Sequence, residues 1–225
     1  MRYHIAFLIA LSTVCWADDA VTLTLTGAGN NTWTDDYTYP YYLSIDGNAP
    51  VAMMCDAFTR EMSLGEVWEA NAVTPTATNE NSDLFFSSST EFANTNSPVT
   101  AYNEGAYIFT GVTEGTIGAV DGNVAMWELF DPALSGSVTG ATADSVNGIL
   151  SDALSHASDT YLGIAVYTPL QSDSGTPQEF FAAAGVTFAE EGTPQAPEPS
   201  SSLLLATGGA LLAAIGARRK GAVRS

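Results

Sequence analysis

Few side chains in this chain have the type and spacing to do chemistry. There are two histidines and two cysteines in 225 residues, and one of each, His4 and Cys15, falls in the apolar N-terminal stretch. His156 is then the sole remaining histidine, so a paired-histidine metal site is not available. It follows an apolar helical stripe, where a cation suits the helix end, and a surface or capping role is the expectation. No phosphate-binding glycine loop and no Gly-x-Ser-x-Gly elbow occurs, and Lys220 is the only lysine, near the C-terminus. Asp35-Asp36 sits in a chain with acids throughout, and Asp121-Gly122-Asn123 is too short a match to a calcium loop. No catalytic group, metal site or cofactor is therefore expected, and the chain reads as non-enzymatic. A cysteine hydrolase built on Cys55 and His156 has no signature around either residue.

Two features keep a functional reading open. Cys55 is the one cysteine outside the N-terminal stretch, and a lone thiol is an inert buried side chain, an intermolecular disulfide partner or a reactive centre. Aromatics crowd one region: Trp33, Tyr37, Tyr39, Tyr41 and Tyr42. Tyr39 and Tyr41 share a face of an expected strand and make a candidate stacking platform for sugar rings, against the more ordinary role of sheet packing.

The elements that must position these residues are strands, then helices, then strands. Val21, Leu23 and Leu25 alternate with threonines, the period of a half-buried strand, and residues 27–31 read as a loop. Further strands are expected over 39–45, closed by the Asp46-Gly47-Asn48 turn, and over 51–58 and 66–73. Residues 84–89 fit no element clearly. Ser97-Pro98 has the form of a helix start, with Tyr102, Ala106 and Phe109 on one face and Gly111 at the end. A second helix is expected over 116–130, weakened by Gly118 and Gly122 and stopped by Pro132. A third carries Val146, Ile149, Leu150, Ala153, Leu154 and Ala157 behind a Thr142 or Asp144 cap. Strands return over 162–168 and 179–188. The order implies an α+β domain, an antiparallel sheet or sandwich with an inserted or packed helical block.

The charge is lopsided. Asp and Glu number 25 against 6 Lys and Arg, a formal net charge of −19, and Arg60 is the only Lys or Arg between residues 18 and 217. Such a chain repels nucleic acid, whose binding depends on neutralising phosphates. It also repels anionic membrane surfaces and anionic polysaccharide unless divalent cations bridge them; its general effect is solubility.

Both ends read as sorting signals. Arg2, the apolar run Ile5 to Val14 and a small residue at Ala17 form a secretory signal peptide over 1–17, with Ala20 as an alternative cut. About 180 residues remain, the size of one domain, an ectodomain over 18–189. Residues 190–199 form a stiff, proline-rich, exposed linker. Residues 200–217 carry no charge and just suffice for a transmembrane helix, and Arg218, Arg219 and Lys220 open a basic tail over 218–225 expected on the cytoplasmic side. Pro197-Glu198-Pro199, a short span and an Arg-rich tail, in that order, resemble the PEP-CTERM sorting signal of Gram-negative bacteria. The resemblance implies export across the inner membrane, a C-terminal membrane anchor before processing, and an exosortase-type membrane protease as partner. It further implies a destination at the cell surface or in the extracellular matrix, among exopolysaccharide and other surface proteins.

A second, looser resemblance lies inside the ectodomain. Met54-Cys55-Asp56-Ala57-Phe58 on an early strand and Asn123-Val124-Ala125-Met126-Trp127-Glu128-Leu129-Phe130 on a later helix resemble the thioester domains of bacterial surface adhesins. In that family an early Cys is joined to the Gln that opens a Gln-x-Ala-Ile-Trp motif, and the bond reacts with amines. Ala125 and Trp127 match here, while the Gln position holds Asn123, one methylene shorter. The resemblance implies a covalent adhesin centred on Cys55 and Asn123.

Overall fold

The computed structural model describes residues 20–74, 84–159, 161, 163–170 and 177–184. All of them belong to the first of two compact units, Met1–Val186; the second, Thr187–Ser225, lies outside the described residues. The expected signal peptide, linker, membrane span and basic tail therefore lie outside them as well. Among the described residues no helix is long and apolar enough to cross a membrane.

The strands are β1 (Val21–Ala28), β2 (Thr32–Trp33), β3 (Asp36–Tyr37), β4 (Tyr41–Ile45), β5 (Val51–Cys55), β6 (Val67–Val73), β7 (Ile164–Pro169) and β8 (Phe180–Ala183). Six of them close in the order β1-β4-β5-β8-β7-β6, every pair antiparallel, and β2 and β3 form a separate small hairpin. The expected antiparallel sheet is thus present, closed into a barrel. β1 alternates as its threonines require, with Leu23 and Leu25 buried. β7 is buried at every position, β5 over Met53–Cys55 and β8 over Phe180–Ala182; the helical block packs against β5 and β8. Inside, Tyr41, Trp68 and Phe180 pack ring to ring; outside, Phe181 meets Tyr102 and Phe130 from the helices.

The helical block is α1 (Pro98–Thr113), α2 (Ala119–Phe130) and α3 (Gly140–Ser155), with a 3-10 turn at Pro132–Gly136 after α2. Ser97 caps α1, its side chain accepting from the Thr100 N–H at 3.4 Å. Several boundaries differ from the sequence expectation, each for a physical reason. α1 passes Gly111 and ends two residues later; Gly115, with φ +75°, makes the left-handed turn instead. Gly111 is a close-approach position, since a Cβ there would lie 2.6 Å from Ile117 Cδ1. α2 starts at Ala119 rather than 116, with Gly118 as its extended cap residue. α3 starts at Gly140, behind Thr139, so Thr142 and Asp144 lie within its first turns. β5 stops at Cys55 rather than running to 58, and residues 84–89 are successive turns.

The expected weakness of α2 at Gly122 has a packing explanation. A Cβ at Gly122 would stand 2.3 Å from Val112 Cγ2, so the glycine is what lets α1 and α2 meet. Gly148 on α3 is exposed, with nothing within 4 Å of the same position. Alanine should therefore act in opposite directions at the two sites. Gly122→Ala should lower stability by ~1–3 kcal/mol through overpacking, whereas Gly148→Ala should raise it by up to ~1 kcal/mol through helix propensity. Urea unfolding of the two variants beside the parent reads both signs.

Candidate functional site

One rim of the barrel gathers the ends of β1 and β5 with the starts of β4 and β8, and α2 packs against β5 there. Cys55 is the last residue of β5 and wholly buried. The Trp127 indole Nε1–H donates to Cys55 Sγ at 3.2 Å. Asn123, one helical turn before Trp127 and also wholly buried, donates from Nδ2 to the Cys55 carbonyl at 3.1 Å. Its Oδ1 accepts the Tyr39 backbone N–H at 2.6 Å. Spacing of four on a helix places Asn123 and Trp127 on one face, and both reach the same residue.

The thiol is a poor nucleophile as it stands. Burial pushes it up to about 12, against the Trp127 N–H and the nearby polar groups of Tyr41 and Asn123, which pull it down; the neighbouring Asp56 adds to the rise. Tyr41 is raised too, chiefly by burial and then by Cys55.

The fold brings Cys55 and Asn123 together and parts Tyr39 from Tyr41. Tyr41 turns its ring inside the barrel against Phe180, and its hydroxyl donates to the Tyr37 carbonyl. Tyr39 precedes β4 and sets its ring edge-on against Phe109 of α1 at 6.2 Å. The two rings therefore offer no common open platform, because β4 begins only at Tyr41 and the strand alternation does not extend back to Tyr39. His156 is the C-cap of α3, stacked on Tyr107 at 4.5 Å, in the surface and capping position its sequence context suggested.

What sequence reasoning missed is a cleft of about 460 Å³ at the same rim. Its walls include Tyr37, Tyr41, Phe58 and Trp127, with Asp36, Arg60 and Glu61 among the polar groups. Trp33, from the β2–β3 hairpin, packs on Phe58 and Trp127 and builds the wall from behind. Tyr37 is 55% exposed and faces this space. The aromatic crowding over 33–42 was the signal; which ring stayed open was not readable from spacing. Cys55 lies behind Tyr41 and Trp127, which separate it from the cleft. Among the described residues no cluster of three metal-ligating side chains occurs.

A family model for the PEP-CTERM protein-sorting motif matches residues 195–220. The chain carries that sorting signal. It implies an exported substrate of an exosortase, held by a C-terminal membrane anchor before cleavage and then delivered to the cell surface. No curated protein matches the chain. Two solved structures from Streptococcus pyogenes are similar to it. One is the N-terminal thioester domain of fibronectin-binding protein SfbI, at 10% identity and TM-score 0.40, covering 73% of this chain and 92% of that one. The other is the N-terminal domain of the pilus tip adhesin Cpa, at 13% identity and TM-score 0.38, covering 76% of this chain and 95% of that one. These neighbours are of the kind that the segments around Cys55 and Trp127 resemble; likeness at this level assigns no chemistry here.

A thiol with this burial should be inert in the folded protein. At pH 8 its ionised fraction is on the order of one in ten thousand. Iodoacetamide should label Cys55 only as fast as the domain unfolds, and Trp127→Phe, which removes the indole donor and loosens the packing, should speed labelling. Mass spectrometry over a time course in increasing urea checks both; rapid labelling of the parent without urea would contradict the geometry.

Proposed function

We propose that this is an exported, non-enzymatic surface or matrix protein that associates with exopolysaccharide through the rim cleft. The observation that carries the reading is the cleft itself. Tyr37 offers an open ring face, with Tyr41 and Trp127 in the same walls, and carboxylate and guanidinium groups stand beside them. Sugar rings are recognised by this pairing, an apolar ring face laid on an aromatic and hydroxyls met by planar polar side chains. The net charge of −19 selects further, favouring neutral polymers over anionic ones. The test is affinity electrophoresis in gels containing dextran, xyloglucan or alginate. A neutral polymer should retard the protein, alginate should do so only with added calcium, and Tyr37→Ala should abolish retardation while leaving unfolding unchanged. Equal retardation of the variant, or none of the parent in any polymer, sinks the assignment.

The contact between Cys55 and Asn123 favours a second reading, a covalent adhesin. Sγ would attack Asn123 Cγ, the C–N bond would break, and the amide nitrogen would leave as ammonia with the thiol proton. The Tyr39 N–H, which donates to Oδ1, would stabilise the oxyanion formed on the way. Burial of the thiol and the short Asn side chain work against closure. Intact mass of the exported protein decides between the two: a deficit of one ammonia that methylamine converts to an adduct establishes the bond, and an unmodified mass leaves the non-covalent reading alone.

A further inference from the structure

Beside the cleft and its thiol, two acids are buried together. Asp56 follows Cys55 and Glu179 precedes Phe180; their side chains are 0% and 1% exposed. The Asp56 N–H reaches the Glu179 carbonyl at 3.4 Å, continuing the β5–β8 ladder past its last pair. The Glu179 carboxylate accepts three hydrogen bonds: from the Phe85 N–H at 3.0 Å, from the Tyr102 hydroxyl at 2.5 Å and from Thr168 Oγ1. Neither Asp56 carboxyl oxygen has a hydrogen-bond partner among the described residues, and the Glu179 charge is near enough to act on that carboxyl.

The surrounding charges do not permit two anions. Facing the pair are Arg60 from the segment after β5, the Tyr102 hydroxyl from α1 and the Cys55 thiol from β5; β7 contributes only the neutral Thr168. Arg60 is one cation against two acids, and its guanidinium carbon sits 3.9 Å from the centre of the Phe85 ring. Two carboxylates in contact in an apolar interior repel strongly, and the one with fewer donors keeps the proton. Asp56, wholly buried and without a hydrogen-bond partner for either carboxyl oxygen, is the acid that holds a proton.

We propose that a protonated Asp56, buried beside Glu179, is a pH-sensitive clasp that fastens β5 to β8 at the cleft rim, where the Tyr102 hydroxyl ties Glu179 to α1. Burial first, and then the Glu179 charge, hold Asp56 well above the usual carboxylate range. In the unfolded chain Asp56 releases its proton near pH ~3.9. Between that pH and its native value the folded state binds one more proton than the unfolded state, so stability falls as pH rises. The contribution is fully present below the unfolded value and is gone once Asp56 ionises in the native protein. Glu104 and Glu128, also buried and raised chiefly by burial, act with the same sign, which makes the difference between parent and variant the informative quantity.

The experiment is urea unfolding of the full-length protein in mild nonionic detergent, followed by tryptophan fluorescence from pH 5 to pH 9, for the parent and Asp56→Asn. Asn keeps the shape, supplies an N–H to Glu179 and does not titrate. The parent should take up about one more proton on folding than the variant, so its stability should fall more steeply with pH and the variant should gain on it steadily towards pH 8. Parallel pH profiles would overturn the proposal. Should the variant fail to fold, infrared spectroscopy of the Glu104→Gln, Glu128→Gln protein gives the answer: a protonated-carboxyl C=O stretching band at neutral pH that alkali removes supports the clasp, and its absence at neutral pH overturns it.

Discussion

A single buried amide fixes the relation between the helical block and the barrel. Asn123 accepts from the backbone just before β4 and donates to the last carbonyl of β5, so one side chain of α2 ties down two neighbouring strand ends. Neither backbone group has a ladder partner at that position, and in the absence of water each would be costly to leave unpaired. Trp127, one turn further on, then lies against the thiol and forms the wall that Trp33 and Phe58 back. The cleft, the buried thiol and the entry into β4 all follow from where α2 sits. The glycine at 122, next to Asn123, lets α2 approach α1 closely enough to sit there.

The acidity of the chain is not confined to its surface. Asp56, Glu104, Glu128 and Glu179 are buried or nearly so, in a domain whose one Lys or Arg, Arg60, is placed beside two of them. Salt-bridge pairing cannot neutralise such a set, so hydrogen-bond donors and retained protons do. Tyr102, Thr168 and Asn94 supply the donors, each from a different part of the chain. The raised carboxyls of Asp56, Glu104 and Glu128 all make such a core lose stability as pH rises.

Much of the element order was legible because burial on one face leaves a period. The alternation in β1, the Ser97-Pro98 start and the Val146, Leu150 and Ala153 part of the α3 stripe have local causes, and the structure keeps them, whereas Leu154 is exposed and Ala157 lies beyond the helix. The boundaries that shifted depend on contacts from elsewhere. Gly111 has the look of a helix terminator yet serves Ile117, and Gly122 has the look of a helix weakness yet serves Val112. The two-residue strands of the β2–β3 hairpin are too short to leave any period. Closure of the sheet into a barrel was likewise invisible, since it depends on β6 returning to β1, and local pattern does not encode which distant edges meet.

The sequence by itself determined the address of the protein, its charge and the poverty of its catalytic groups. Those are properties of composition and of linear motifs, read by a translocation machine or a protease without reference to a fold. It also put Cys55 and the Asn123–Trp127 segment forward as a pair. Tertiary structure alone decided that the pair meets and that Tyr37, rather than Tyr39 with Tyr41, presents an open ring. It also decided that Asp56 and Glu179 end up side by side, 123 positions apart in the chain. The reason is common to all three: each depends on the packing of the helical block against a closed barrel, and exposure and proximity are set by that packing rather than by neighbours in sequence.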